Sequence, residues 1–588
     1  MERSTIDIKD TWDLSLIYKT HEDFYTDLTK AKELLESTLK QKDIFLKNID
    51  NFIQFHEDYI KLSRYIQKLH CFAHLHCDTE PNNQDYQTMY SSILTFYDQV
   101  SSSLDFYTVM MIDNVSSVEE YIQDDRLSDY RYSISEILRQ KKHTLSQEME
   151  TLISKTSTIS DVSSQVFDAL RLDYEDVNVD GEKKFLNSAT LTEFLKNKDP
   201  EVRKEAYHNF FKEYKKYENV FAATLSGVMK KDAFYADVKK FDDPLEASLF
   251  DDNVPTSLFF KILEKANNQY RPIFHKYNAL KKKILNLDCM YNYDLSVPII
   301  EYETKKYTID ECFDIIQDVV KIFGDEYVDI IKKAKEERWI DYYPHTGKRI
   351  GAYSSGCYDT NPYILMNFIG DYNSLSTMIH ELGHSAHTYL SCHNQSPVNC
   401  DYRIFVAEVA STVNETLLIN YMLEHASSKE EKMYFLYELL ENCVGLIFRQ
   451  PMYADFEHIL HTLAKDSSPM SSQVITDLYY KKNAEYYGDA VTMDKYVGHS
   501  CFYIPHFYYN YYVYKYTLGM TVALAIVSRL LSGDTKQKEA YLNFLKSGGS
   551  KAPVDLLKDA LVNPLEDQLY DDAYQYFEHI LNQFEELL

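Results

Sequence analysis

The sequence predicts a mostly α-helical protein, and three observations carry that expectation. Gly (15) and Pro (14) are scarce in 588 residues. Long Leu/Ile/Lys/Glu/Tyr stretches run between them, and no Pro/Gly/Ser-rich linker interrupts the body. Strand-like patterning is confined to two short places, and neither internal repeat nor low-complexity segment is visible. Length alone would suggest roughly three or four domains; the even composition argues instead for a continuous helical body.

Taken in order, residues 1–115 read as an N-terminal helical region, with long amphipathic helices over 23–41 and 50–76. Residues 116–200 add further helix and then a hairpin, because Asp180-Gly181 is a two-residue turn pair between 172–179 and 183–186. Residues 201–588 form the third and largest segment. It carries long helices through Lys333, then β-branched and aromatic residues over 350–367 punctuated by Gly351, Gly356 and Pro362, which predict two short strands or an extended edge. Helix resumes to the C-terminus, broken at Ser547-Gly-Gly-Ser550, a turn or a mobile loop.

The chemistry concentrates in His380-Glu381-Leu382-Gly383-His384. On a helix His380 and His384 lie one turn apart on one face, so both imidazoles can reach one zinc ion. Glu381, offset by about 100°, points beside the metal, where it can take a proton from an activated water. Leu375, Met378, Ile379, Leu382, Ala386 and Leu390 make the segment apolar, and Glu and His are costly there unless paired or ligated. Gly383 costs about 1 kcal/mol of helix propensity relative to Ala, which predicts close approach of another group.

A third ligand is required, because catalytic zinc takes three protein ligands and a water. The longer histidine motif that supplies it from the same segment needs Gly at 387 and His at 390; this chain has His387 and Leu390. The other solution is a glutamate from a second helix. The apolar run from Phe405 to Leu418 contains Glu408 and Glu415, two turns apart on nearly one face. Glu408 is assigned as ligand, and Glu415 as hydrogen-bond acceptor for a ligand histidine; pairing with Arg403 or a lysine is the competing role. His387 reads as a packed, hydrogen-bonded histidine.

One other run invites a metal: His70, Cys71, His74, His76 and Cys77. Its surroundings (Tyr65, Ile66, Leu69, Phe72, Ala73) are those of an ordinary core helix, and its histidines and cysteines read as structural.

Net charge is -29, which disfavours nucleic acid and anionic membrane as partners. The nine cysteines include no Cys-x-x-Cys pair, no signal peptide precedes the N-terminal Met-Glu-Arg-Ser, and no apolar run approaches a membrane span of about 18 residues. These point to reduced thiols and a cytoplasmic protein.

The two segments His-Glu-Leu-Gly-His-Ser-Ala-His and Phe-Val-Ala-Glu-Val-Ala-Ser-Thr-Val-Asn-Glu resemble the thimet-oligopeptidase-like (M3) zinc metallopeptidases, most closely the bacterial oligoendopeptidase F branch. The stretches 347–356, 360–367, 504–516 and 544–550 accompany them in the family's order, so the resemblance spans about 345–550, with Trp12-Asp-Leu-Ser-Leu-Ile-Tyr18 agreeing more loosely. It implies an elongated multi-helix zincin-type metallopeptidase with a deep substrate cleft and a small antiparallel β-sheet beside the zinc helix. It also implies one Zn2+ per chain and short unstructured peptides as substrates. Whether the chain is monomeric or homo-oligomeric stays open.

Peptide hydrolysis needs a nucleophile, an oxyanion partner and a proton for the leaving amine. Zinc would bring the pKa of a bound water to about 7 and Glu381 would carry the proton. A donor for the oxyanion is expected from the tyrosine-dense run 503–516, where Tyr509 and Tyr512 share a face if the segment is helical. The resemblance assigns Tyr512 as that donor and sets His506 and Tyr509 against the substrate backbone. In a chain with 51 tyrosines such a stripe is also what a core looks like. Gly351, Ala352 and Tyr353 are expected at a strand edge that could bind substrate by strand addition.

Two rival classes remain. A zinc carboxypeptidase or dipeptidyl carboxypeptidase would need a cation for the substrate carboxylate, with Lys348, Arg349, Arg403 and Lys515 as candidates. A non-catalytic peptide-binding protein is disfavoured by the intact Glu381.

Overall fold

In a computed structural model, residues 2–588 are described. Helix accounts for 69% of the chain and strand for 3%, so the expected fold class holds. The chain forms two compact units, both discontinuous in sequence: 1–144, 304–421 and 526–563 in the first, and 145–303, 422–525 and 564–588 in the second. These boundaries run across the segments 1–115, 116–200 and 201–588 expected from the sequence. The physical reason is that the helices bury their apolar faces against partners remote in the chain, and nothing in local composition records that.

The first unit opens with α1 (His21–Leu39), α2 (Ile49–Thr79) and α3 (Gln84–Ser103). A capping box starts α1: Asp23 N–H donates to Thr20 Oγ1 and Thr20 N–H to Asp23 Oδ2. Asn48 and Asn83 cap the next two through their side chains. Phe24, Phe52, Phe55, Leu69, Phe72, Ile93 and Phe96 are buried in the core of these helices. Tyr363 and Leu365 enter the same core from the sheet, and the Tyr363 hydroxyl donates to the Asp13 carbonyl at 3.0 Å.

The sheet consists of β1 (Ile340–Asp341), β2 (Tyr353–Ser355) and β3 (Tyr363–Leu365) in the order β1-β3-β2. The antiparallel pair β2–β3 is the one expected from residues 350–367; β1 adds a third strand, parallel to β3. Two residues long, β1 shows no alternation for a sequence reading to detect. β2 lies at the sheet edge, and among the described residues no backbone hydrogen bond outside the β3 ladder reaches it. Then follow α4 (Tyr372–Asn394), capped by Asp371, α5 (Ile404–Glu424) and α6 (Thr535–Lys546).

The second unit contains the expected hairpin, with strands Val177–Val179 and Glu182–Lys184. Asp180 (φ 54°) and Gly181 (φ 86°) occupy the left-handed region a type I′ turn requires. Helices Pro200–Lys216, Glu218–Val238, Gln450–Lys465 and Ser472–Tyr487 form its body, and Phe221 stacks on Phe502 of the 3-10 segment Val497–Tyr503. Among the described residues, no helix is long and apolar enough to cross a membrane, and all nine cysteines are free.

Candidate metal and active site

The site begins where α4 and α5 cross. Leu375, Met378, Ile379, Leu382, Ala386 and Leu390 are buried along α4, as are Phe405, Val406, Val409, Ala410 and Val413 along α5. Gly383 lets the two backbones meet. A Cβ there would lie 2.8 Å from Ser411 Cα and 2.9 Å from the Ala410 carbonyl oxygen, contacts no side chain sustains. The close approach expected from the cost of a mid-helix glycine is therefore that of α5 itself. Asn414 fastens the crossing by donating to the Ile379 carbonyl at 3.3 Å, and it also bonds the buried Tyr327 hydroxyl.

This crossing brings His380, His384 and Glu408 together. The two Nε2 atoms are 3.2 Å apart, and each lies 3.6 Å from Glu408 Oε2. Tetrahedral zinc with bonds of about 2.0–2.2 Å separates its donors by about 3.3–3.6 Å. Two imidazoles and a carboxylate at those spacings therefore fit the ion. This is the only group of potential metal-holding side chains found among the described residues. Glu408 is half exposed at 51%, more open than its apolar helix suggested, so one side of the group faces outward, as a catalytic metal with a free position requires.

The surrounding carboxylates divide the work. Glu415 Oε2 lies 3.4 Å from His380 Nδ1, which leaves Nε2 turned to the ligand group. Burial would lower the His380 pKa, but the hydrogen bond and charge of Glu415, with Glu381 and Glu408, outweigh it and push the imidazole up to about 9. Burial likewise favours protonated Glu408, yet His384 and His380 hold it down to about 2. Such a concentration of negative charge suits a cation. Glu381 is 6% exposed, and burial raises its pKa against the pull of His380 and His384. Its carboxyl thus binds a proton more readily than an ordinary glutamate, which suits a proton carrier.

Sequence reasoning missed two supports. Ser411 Oγ donates to Glu408 Oε2 at 3.0 Å, and Asn414 pins the crossing. Small polar residues three and six positions after a helical carboxylate, in an otherwise apolar run, were the available signal. His387 is packed as expected, stacked on Tyr402 at 3.7 Å, but among the described residues its Nδ1 lacks the expected hydrogen bond, and burial drives its pKa down to about 3.

β2 is tied to α4 by the 2.8 Å contact of Ser354 Oγ and Ser385 Oγ. Gly351 has φ 88° with nothing within 4 Å of a Cβ; backbone conformation, not crowding, is what selects glycine there. Its carbonyl accepts from Asn367 Nδ2 at 2.8 Å. Ala352 follows, half-buried, and the Tyr353 hydroxyl donates to Asp78 Oδ2 at 2.7 Å. Ser547-Gly-Gly-Ser550 is a packed turn: Gly549 N–H donates to the Asn399 carbonyl at 2.8 Å, and a Cβ on either glycine would strike the 399–401 backbone.

His506, Tyr509 and Tyr512 belong to the second unit, whereas the metal-ligand group belongs to the first. Their segment departs from the expected helix. Pro505–Tyr508 is a 3-10 turn, Asn510 (φ 45°) and Tyr511 (φ 56°) are left-handed, and helix starts only at Tyr514. The cause is remote: the buried Glu457 carboxylate accepts the Tyr511 N–H at 2.6 Å and holds the chain out of helix. Tyr509 and Tyr512 still meet edge-on, with ring centroids 6.5 Å apart. Tyr509 is exposed, Tyr512 and His506 are half-buried, and burial lowers the His506 pKa.

Three of the cations a carboxypeptidase could use are already paired. Lys348 is buried on Asp341 at 2.7 Å, Arg349 meets Asp78 at 3.3 Å and Lys515 meets Asp252 at 2.6 Å.

The chain is similar to known proteins along its length. The sequence profile of Peptidase family M3 matches residues 193–576, and one described as Oligopeptidase F matches 115–173. The chain is 36% identical over 597 residues to Oligopeptidase PepF of Bacillus subtilis, covering 100% of this chain and 88% of the relative. A solved protein from Chlamydophila abortus superposes with a TM-score of 0.93 at 29% identity, covering all of both chains. Oligoendopeptidase-F from Enterococcus faecium does so with a TM-score of 0.73 at 28% identity, covering 96% of this chain and 99% of that one.

Proposed function

The chain belongs to peptidase family M3, and from that premise we propose a zinc-dependent endopeptidase of short oligopeptides whose reaction centre is His380, His384, Glu408 and Glu381. The observation that carries the reading is the convergence of three donor atoms at zinc spacing beside the buried carboxylate of Glu381. The family is one of metallopeptidases, so a catalytic metal is implied; zinc, one per chain, is our assignment from the nitrogen–nitrogen–oxygen donor set.

When bound, zinc supplies an acidified water and a Lewis acid for the scissile carbonyl. His380 and His384 would hold it through Nε2 and Glu408 through Oε2. Glu415 fixes the His380 ring from behind through Nδ1. The Glu381 carboxylate accepts a proton from the attacking water and returns it to the departing amine. The free edge of β2, with Gly351, Ala352 and Tyr353 at its start, receives the extended peptide backbone. The oxyanion-donor role of Tyr512 and the substrate-backbone roles of His506 and Tyr509 rest on the resemblance to the family. The nine free thiols support assignment to the cytoplasm.

The test is an internally quenched peptide blocked at both ends, incubated with and without chelator. Chelator-sensitive internal cleavage, restored by zinc, is expected. Glu381→Gln should retain zinc and lose about 10²–10⁴-fold in kcat/KM. Normal turnover by that variant would remove Glu381 from the reaction, and cleavage confined to unblocked ends would make the protein an exopeptidase.

A further inference from the structure

The residue before Tyr512 is fastened through its backbone, its ring and its hydroxyl, and all three holds lie within the second unit. Glu457 Oε1 accepts the Tyr511 N–H at 2.6 Å. His458 Nδ1 lies 3.0 Å from the Tyr511 hydroxyl, and the His461 ring stacks on the Tyr511 ring with centroids 4.4 Å apart. These three partners stand on one helix, Gln450–Lys465. His461 meets Asp232 of the helix Glu218–Val238 in turn, with Nε2 3.1 Å from Oδ2. Ser248 adds a further hold by donating to the Asn510 carbonyl at 2.8 Å. Tyr511 is thereby buried at 1% exposure, whereas Tyr512 beyond it is only half-buried.

Two features of this anchor are unfavourable by themselves. Asn510 (φ 45°) and Tyr511 (φ 56°) occupy the left-handed region, which a bulky side chain resists. Glu457 is fully buried, and among the described residues its Oε2 has no hydrogen-bond partner. Burial pushes its carboxyl up to about 7, against the pull of His461 and of the Tyr511 N–H. A carboxyl buried for packing alone would be costlier than an apolar side chain, so its value lies in the N–H that it accepts. That N–H belongs to the left-handed turn, and the turn sets the direction in which the chain enters Tyr512. From there the chain passes directly into helix: the Tyr512 carbonyl accepts the Lys515 N–H at 3.2 Å, and the helix runs over Tyr514–Leu531. Tyr512 is therefore a short link between two fixed points. Its ring meets those of Tyr509 and Tyr516, with centroids 6.5 and 5.3 Å away.

We infer that Glu457 is a positioning residue for the reaction: by fixing the left-handed turn at Asn510 and Tyr511, it sets the Tyr512 hydroxyl for the developing oxyanion. The inference rests on the endopeptidase reading and on the donor role given there to Tyr512. Glu457 acts through the backbone of Tyr511 and not on the reacting atoms. Its effect belongs to the transition state, since a displaced donor loses its hold on the charge that develops there rather than on the bound peptide.

The experiment measures kcat and KM of the full-length, zinc-loaded enzyme on an end-blocked, internally quenched peptide. Tyr512→Phe should lower kcat by about 10²–10³-fold. Glu457→Leu should lower it by about 10–100-fold with KM little changed. Glu457→Gln, whose amide oxygen can accept the same N–H, should recover most of that loss. Glu457→Leu combined with Tyr512→Phe should be no slower than Tyr512→Phe alone, because no donor is left to position; a general loss of folded protein would multiply instead. If Glu457→Leu does not fold, Ser248→Ala reads the same anchor at smaller scale, as a fall in kcat of about 2–10-fold that vanishes in the Tyr512→Phe background. Three results would overturn the inference while the endopeptidase reading stands: unchanged kcat in Glu457→Leu (or in Ser248→Ala where the first does not fold), a Glu457→Gln no faster than Glu457→Leu, or losses that multiply with Tyr512→Phe. Normal turnover by Tyr512→Phe would remove Tyr512 as the donor and the inference with it. Absence of chelator-sensitive cleavage by the unaltered enzyme would overturn the endopeptidase reading itself.

Discussion

Two histidine pairs in the first unit share one spacing and differ in everything that makes chemistry. His70 and His74 stand four residues apart on α2, His380 and His384 four apart on α4, and in both pairs the ring centroids are 4.9 Å apart. On α2 the rings stack at 26°, and His74 Nδ1 is 3.0 Å from the His70 carbonyl oxygen. Burial lowers the pKa of both. On α4 the rings stand at 79°, both Nε2 atoms converge, and Glu408 and Glu415 approach from a second helix. A histidine pair becomes a metal site through the carboxylates that face it.

The comparison breaks most visibly by removing ligands. His384→Ala or Glu408→Ala should abolish zinc retention and with it all peptidase activity, because two protein donors cannot replace three. Metal content per chain after dialysis, beside a circular dichroism spectrum showing retained helix, checks this. Full zinc occupancy in Glu408→Ala would transfer the ligand role to Glu415.

A smaller effect is expected one layer out. Glu415→Ala leaves the three donors in place but removes the acceptor 3.4 Å from His380 Nδ1. Loss of such a partner costs about 10–100-fold in metal affinity. A competition titration with a chromogenic chelator measures it, and unchanged affinity would reduce Glu415 to a surface carboxylate.

Gly383→Ala tests the crossing that assembles the site. The methyl gains about 1 kcal/mol of helix propensity, but it must push Ser411 and Ala410 backbone atoms out from below 3 Å. Overpacking of that kind costs about 1–3 kcal/mol. The expected net result is a lower melting temperature and, because Ser411 and Glu408 move with the same turn of α5, weaker zinc binding. A higher melting temperature with unchanged zinc affinity would show that the helices can separate freely.

What the sequence disclosed follows the same division between local and remote causes. The convergence of His380 and His384 was legible because helical spacing alone places them one turn apart, and the approach of Glu408 because it stands 24 residues further on, where a second helix can return to the first. The helices expected at 23–41 and 50–76 exist as His21–Leu39 and Ile49–Thr79, since caps and periodicity are written locally. The break at 509–513 was illegible: it depends on Glu457, a partner on another helix, and the tyrosine run around it has an unremarkable pattern. The discontinuous units were hidden for a similar reason, since each is built from segments hundreds of residues apart.

The smallest expected effect sharpens the comparison most. If facing carboxylates make the metal site, then His70→Ala with His74→Ala should leave zinc stoichiometry and affinity unchanged. The nearest acid, Asp78, accepts from the Tyr353 hydroxyl and meets Arg349, so its charge is committed to holding β2 and its flank against α2. Burial keeps both α2 imidazoles neutral at pH 7, and their work is packing: His70 against Tyr90, His74 against Tyr353. Truncating them should therefore register only as a modest loss of stability, about 1–3 kcal/mol for partly buried rings, in chemical denaturation monitored on the zinc-loaded protein. A fall in bound zinc per chain would mean that spacing alone suffices to bind metal, and the carboxylates of α5 would lose the role the geometry gives them.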